Sequence, residues 1–283
     1  MKSFSRTASF WIIGAVYALA AAVGIGVYLW LPFSWQLNLL LADVAATVVT
    51  FVFSLLFKNA SVYDPYWSVQ PIVIVLALAG TLTPLRLLLI AVICLWGIRL
   101  TANWAYTFHG LAHQDWRYTM LQKKTGAFYP VVNFCGIHMV PTLIVYGCVL
   151  PAAYAMMHDL PWKAGSVVFL CLSVGAVLLQ GTADFQMHRF RKGKTGGFIR
   201  DGLWKYSRHP NYLGEILMWW GVALAVLWAA PEQWYLCAGA AANTVLFLAV
   251  SIPMADKRQS AKPGFAQYKK ETRALLPLPK KQG

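Results

Sequence analysis

The sequence predicts an all-α fold, a polytopic transmembrane helical bundle of seven or eight spans. Three observations carry this. Of 283 residues, 59% are hydrophobic and only 12% are charged, about half the charge that a soluble domain of this size carries. Apolar runs recur along the whole chain, and since each crossing needs about 20 residues, they leave no room for a separate soluble domain. Third, the cations are distributed unevenly between alternate loops.

The runs fall at roughly 10–30, 38–57, 68–80, 85–105, 131–157, 164–186, 212–230 and 234–254. Lys2 and Arg6 precede the first as in a signal peptide, but that run is long and no small-residue cleavage site follows, so it is a span. The run at 68–80 is the shortest and stops at Gly80. With the N-terminus inside, 21 of the 24 Lys and Arg residues lie in cytoplasmic segments, Arg99 lies within a span, and only Arg86 and Lys163 lie on the other side. That is a strong positive-inside signal and places the C-terminus in the cytoplasm. Topology therefore accounts for the net charge of +14 without nucleic acid. The five cysteines (Cys94, Cys135, Cys148, Cys171, Cys237) sit in apolar runs with no C-x-x-C pair, which argues against a disulfide framework or structural zinc and predicts small core residues.

Polar residues are thin up to about residue 186, after which a basic loop (187–211) and a basic tail bracket the last two spans. On a helix, Gln180, Asp184, His188 and Arg191 share one face. They either face a cavity, as costly intramembrane polar groups do, or cap and anchor the span end. Pro210 suits the first turn of the next helix, on which Arg208, Asn211 and Glu215 align. That helix start, with Lys205, Arg208 and His209 beside it, is an anion site suited to a pyrophosphate. The tail PMADKRQSAKPGFAQYKKETRALLPLP carries Arg258 and Tyr268 among basic residues and either binds anionic headgroups or closes over an anionic cofactor.

In the first half, NASVYDPYWSVQP places Asp64 before Pro65, outside helical geometry, among Tyr63, Tyr66 and Trp67. It is a turn at the membrane interface or a desolvated general acid that polarises a carbonyl. Arg99 and Asn103 align four residues apart, and QDWRY follows at 114–118. His109 and His113 have ligand spacing, but no third ligand completes a metal site.

Taken together, NASVYDPYWS, RLTANWAYTF, QDWRY, GLWKYSRHPNYLGEILMWWG and YKKETRALLP resemble the bacterial membrane proteins carrying the steroid 5-alpha-reductase-like domain of unknown function (DUF1295), related to the 3-oxo-5-alpha-steroid 4-dehydrogenases. The resemblance covers most of the chain. It implies a single membrane domain, 1–283, in which residues 1–160 form a lipid-accessible substrate side and 161–283 hold NADPH at the cytoplasmic face. The family's acid and following arginine match Asp184 and Arg191, its Asn and Glu match Asn211 and Glu215, and its last cofactor contacts match Arg258 and Tyr268. Tyr206 and Tyr212 complete the expected cofactor set. Asp64 stands where the steroid reductases use a Glu, and a gapless alignment puts Trp96 where they use a Tyr.

The expected activity is NADPH-dependent reduction of the C=C bond of a hydrophobic enone, a 3-oxo-4-ene steroid above all, with Asp64 or Tyr66 polarising the carbonyl, in a bacterial inner membrane. The alternative is an S-adenosylmethionine-dependent methyltransferase of the isoprenylcysteine carboxyl type, which shares RHPxYxG. Fifteen cations in the loop and tail suit a phosphorylated dinucleotide better than a cationic sulfonium. A transporter is disfavoured by the lack of paired, Gly/Pro-broken spans in matching halves.

Overall fold

A computed structural model describes residues 4–193 and 196–278. Lys2, Lys194, Lys280 and Lys281, four of the cations counted above, lie outside the described residues. The described residues hold twelve α-helices and no strand: α1 Arg6–Trp30, α2 Trp35–Leu56, α3 Tyr66–Ala77, α4 Pro84–Thr107, α5 Trp116–Thr125, α6 Tyr129–Val132, α7 Val140–Met157, α8 Ala164–Lys192, α9 Pro210–Ala229, α10 Ala238–Leu246, α11 Ile252–Gln259 and α12 Phe265–Glu271. Helical segments Trp116–Met157 and Pro231–Gln259, each built of several of these pieces, join α1, α2, α4, α8 and α9 as the seven that are long and apolar enough to cross a bilayer. The chain is a multi-pass membrane protein.

Local chemistry sets the ends. Ser5 and Ser34 cap α1 and α2, accepting from the Ala8 and Leu37 amides at 3.1 and 3.4 Å, the usual use of a hydroxyl at a helix start. The turn between these helices is held by Asn38, whose side chain donates to the Leu31 carbonyl at 2.7 Å and accepts from the Phe33 amide at 3.2 Å. Trp11 and Leu29, 78% and 76% exposed, present the apolar outer surface that lipid requires.

Run 68–80 is corrected: its helix α3 has 12 residues, about 18 Å at 1.5 Å per residue, which is too short to span. Pro71 lies inside it, and residues 78–83 are not helical before Pro84 restarts the chain as α4. Even so, α3 runs antiparallel to α4. The Ser68 and Thr101 hydroxyls meet at 2.8 Å, and a side chain at Gly97 would come within 2.5 Å of the Ser68 carbonyl. The irregular residues 78–83 leave backbone carbonyls without helical partners. Arg86 supplies one: only 6% exposed, it donates to the Thr81 carbonyl at 2.7 Å, and it also reaches the Ala155 and His158 carbonyls at the end of α7 and pairs with Asp159 at 3.0 Å.

Of the cysteines, Cys148 is buried as expected, but Cys135 and Cys171 are exposed. A thiol is apolar enough to face hydrocarbon, so burial in an apolar run did not imply burial in protein.

The chain divides into two compact units, one of residues 1–79 and 96–153, the other of residues 80–95 and 154–283. In the second, α8 and α9 pack at close quarters along a seam that repeats every seven residues. Ser166 and Ser173 on α8 donate to the carbonyls of Ala225 and Met218 at 2.7 and 3.0 Å, and Gln180 donates to Glu215 at 3.1 Å. Gly214 permits the approach, since a Cβ there would lie 2.5 Å from Gln180 Cγ and 2.7 Å from the Ala176 carbonyl. Small residues and interhelical hydrogen bonds drive such pairing where lipid gives no hydrophobic gain.

Candidate functional site

In the first unit, two of the sequence motifs interlock. Asn59 donates to the carbonyls of Leu111 and His113 at 2.7 and 3.1 Å, the Ala60 amide donates to Gln114 at 3.0 Å, and the Asp115 amide donates to Ser61 at 2.9 Å. NASVYD is thereby seated on QDWRY. Asp115 caps α5 and pairs with Arg117 at 2.8 Å. The lock closes on Asp64, half-buried, whose Oδ1 accepts the Tyr118 hydroxyl at 2.5 Å. Burial pushes the Asp64 carboxyl up to about 6, against the pull of Arg117 and of the Tyr118 hydrogen bond, so it titrates close to neutrality.

Tyr66 does not join Asp64. Its hydroxyl donates to Asp43 Oδ1 at 2.9 Å, and Gln70 donates to Oδ2 of the same carboxyl at 2.6 Å. Asp43 lies mid-way along α2, is 4% exposed, and escaped the sequence reading. The available signal was its position as the lone acid within the first two apolar runs, where an ionisable residue marks a functional site by default. Trp96 is fully buried and packs against Trp67 at 6.1 Å between ring centres.

In the second unit the expected cofactor residues fall into two groups. The first gathers on Asp256, 4% exposed. Arg208 pairs with it at 2.9 Å and His209 at 3.0 Å, with Lys269 at 3.5 Å. Arg208 also donates to the Lys269 and Thr272 carbonyls, while the Arg208 and His209 amides donate to the Arg273 and Ala274 carbonyls at 2.9 and 3.1 Å. The guanidinium is thus aimed at the tail. Tyr268, whose phenol burial raises, donates to the Trp204 carbonyl at 2.5 Å. Tyr212 stacks on His209 with ring centres 5.1 Å apart. Tyr206 is exposed and lies under Lys205 at 5.7 Å.

The second group keeps cations at a surface. Arg191, exposed at the end of α8, lies within electrostatic reach of Arg258 and of Asp184, and Lys262 lies within reach of both arginines. The Lys262 ammonium, held against the Gly197 carbonyl at 2.7 Å, is lowered by burial and by Arg258 and Arg191. Asn211 donates to Asp184 at 3.5 Å. Glu215, one turn further along α9 and 6% exposed, accepts from Gln180 and from Trp219 at 2.9 Å. Lys262 was not singled out from the sequence; one lysine in a polybasic tail carries no distinguishing spacing. Together these cations make the local potential positive.

An uncharacterised protein of the fission yeast Schizosaccharomyces pombe is 26% identical over 193 residues, covering 57% of this chain and 56% of that relative. The chain thus matches little more than half the length of this relative. No solved structure matches the chain. The family model described as a protein of unknown function, DUF1295, matches residues 50–272, and the chain belongs to that family.

Proposed function

We propose that the protein is an NADPH-dependent reductase of a hydrophobic conjugated enone, a 3-oxo-4-ene steroid being the leading candidate, working in a bacterial inner membrane with its cofactor residues and C-terminus at the cytoplasmic face. The observation that carries the reading is the convergence of Arg191, Arg258 and Lys262 beside Asp184 and Asn211. These three cations would hold the phosphates, with Arg–phosphate contacts bidentate. Asn211 and Glu215, fixed on the first turns of α9, would orient the ribose or nicotinamide end. Arg208, His209 and Tyr268 would act by holding the tail, so that α11 and α12 present Arg258 and Lys262. When bound, NADPH supplies the hydride that the enone β-carbon accepts.

The chain's own task at the substrate is to stabilise negative charge on the carbonyl oxygen as it develops. Asp64, poised near neutrality and held by Tyr118, and Tyr66, held by Asp43, are the two acids available for it. The weight of cations in the loop and tail supports the cytoplasmic placement.

The test is the unfolding midpoint of the detergent-purified protein with NADPH, NADH or S-adenosylmethionine, since a ligand that binds only the folded state raises it by mass action. A rise with NADPH, smaller at equal ligand concentration in Arg258→Ala, is expected. A rise with S-adenosylmethionine alone would transfer the assignment to a methyltransferase, and no rise with any of the three would overturn it.

A further inference from the structure

Where α2 meets the π-helical segment Asn133–Met139 that leads into α7, the first unit buries two hydrogen-bond acceptors that no described residue answers. Asn133 and His138 are 1% and 0% exposed. A π-helix joins residues five apart, and the His138 ring accordingly lies beside residue 133, its Nδ1 3.0 Å from the Asn133 carbonyl oxygen. Both side chains meet the same stretch of α2. His138 stands edge-on to Phe51 with ring centres 5.5 Å apart, and Asn133 bonds the Ser54 hydroxyl at 3.1 Å. The result is one polar patch with aromatic walls: Phe51, Tyr63, whose ring centre is 4.6 Å from that of His138, and Phe134, which packs on Phe51 at 4.9 Å. Phe134 is half-buried, so the wall it makes reaches the outer surface.

Proton counting fixes what the patch requires. A carbonyl oxygen only accepts, so Nδ1 of His138 carries the ring proton and Nε2 of the neutral imidazole is a lone-pair acceptor. The Ser54 hydroxyl owns one proton and gives it to the Phe51 carbonyl at 2.8 Å. Toward Asn133 it can only accept, so the Asn133 amide nitrogen donates to it and Oδ1 is the end left over. Neither His138 Nε2 nor Asn133 Oδ1 has a hydrogen-bond partner among the described residues. Unpaired acceptors are costly in an apolar interior, and both intramembrane polar groups and π-helical turns gather at functional sites. Two neighbouring acceptors repel a ketone, a carboxylate or a phosphate. An ammonium would donate, but neither acceptor carries a charge to offset it. What fits is O–H on a flat apolar body: a vicinal diol meets both acceptors, a single hydroxyl meets one and a ketone meets neither.

We propose that Asn133 Oδ1 and His138 Nε2 form a subsite for the hydroxyl groups of a lipophilic alcohol. The proposal rests on the reductase reading for the enone and deepens it: the preferred substrate carries hydroxyls at the end remote from its C=C bond. Asn133 and His138 set specificity, and neither takes part in the transfer of hydride.

The experiment is equilibrium binding to the full-length protein in nanodiscs, without NADPH, of three 3-oxo-4-ene steroids that differ only on the ring farthest from the enone: a vicinal diol, an alcohol and a ketone. Affinity is expected to rise about tenfold with each hydroxyl. Asn133→Leu deletes one acceptor; His138→Asn keeps a donor for the Asn133 carbonyl and deletes Nε2. Each should level the diol with the alcohol, and either suffices should the other fail to fold. Nitrogen NMR of the parent with isotope-labelled histidines needs no variant: one ring-nitrogen resonance should move with the diol and stay with the ketone. Equal affinities for the three, the mark of a resident water that no ligand displaces, would overturn the subsite. So would a diol preference that the variants keep, or histidine resonances that the diol leaves unmoved. A failed reductase reading registers separately, as a missing NADPH shift in the unfolding midpoint.

Discussion

Asp43 and Asp64 in the first unit are held in the opposite way to Asp256 in the second. In the first, Asp43 and Asp64 accept hydrogen bonds from a phenol, Tyr66 and Tyr118 respectively, and the cation nearest the pair, Arg117, is bound to Asp115 instead. In the second, Asp256 is saturated by Arg208, His209 and Lys269, while Arg191, Arg258 and Lys262 lie within electrostatic reach of one another. Neutral donors leave a carboxyl free to gain a proton; cationic partners fix it as an anion.

The largest expected effect breaks the second half of that comparison. Asp256→Ala leaves Arg208 buried without its counter-charge and His209 without its hydrogen-bond partner, which costs about 3–5 kcal/mol. Limited proteolysis should then cut between α11 and the C-terminus in the variant and not in the parent; equal resistance would show that the tail is held by its backbone bonds alone.

Next comes the pH dependence of the first unit. Because the Asp64 carboxyl is raised in the folded state from an ordinary 3.8 to about 6, the unfolded chain gives up its proton first. Its contribution to stability is complete below about pH 4, falls as pH rises toward 6 and is flat above that. The fall is about 2 kcal/mol after allowing for partial exposure. Chemical denaturation across this range should show the slope in the parent and lose it in Asp64→Asn; a slope shared by both would assign it to another group.

Tyr118→Phe sharpens the same point. Removing a donor that favours the ionised form should move the Asp64 midpoint up by less than a unit and cost about 1 kcal/mol, readable by carboxyl-resolved infrared titration. An unmoved midpoint would mean that the phenol does not restrain it.

The smallest effects concern the cations of the second group. Arg191→Ala, Arg258→Ala and Lys262→Ala should each weaken NADPH binding by about 1 kcal/mol, with an effect that shrinks at high salt. Titration calorimetry at two salt concentrations checks this, and a loss independent of salt would point to shape rather than charge.

Much of the fold was legible. Apolar runs located every crossing, and Pro210 marked the start of α9 through chemistry that acts within one turn; Ser5 and Ser34, which cap α1 and α2 by equally local chemistry, went unread. The short α3 was harder, because the apolar pattern at 68–80 does not reveal that the helix stops at Ala77 and leaves irregular backbone for Arg86 to satisfy. At the candidate sites, same-face spacing brought out Gln180 with Asp184 and Asn211 with Glu215, since a helix converts sequence distance into geometry. What stayed hidden were pairings set by tertiary packing. Tyr118 reaches Asp64 across 54 positions and Gln70 reaches Asp43 across 27. Nothing local in NASVYDPYW indicates that Tyr66 turns from its neighbour Asp64 toward α2.

The π-helical segment Asn133–Met139, which leads into α7, holds wider turns than its flanks. Asn133 bonds Ser54 at 3.1 Å while Thr142, on the other side of the segment, bonds Thr47; the widened turns keep both in phase with α2. Wound as a regular helix, the same residues would rotate everything before the segment by about 100°, disengaging Asn133 while Thr142 held. The segment is a phase adjuster, and its length, more than the identity of its side chains, decides whether the two helices mesh at both ends.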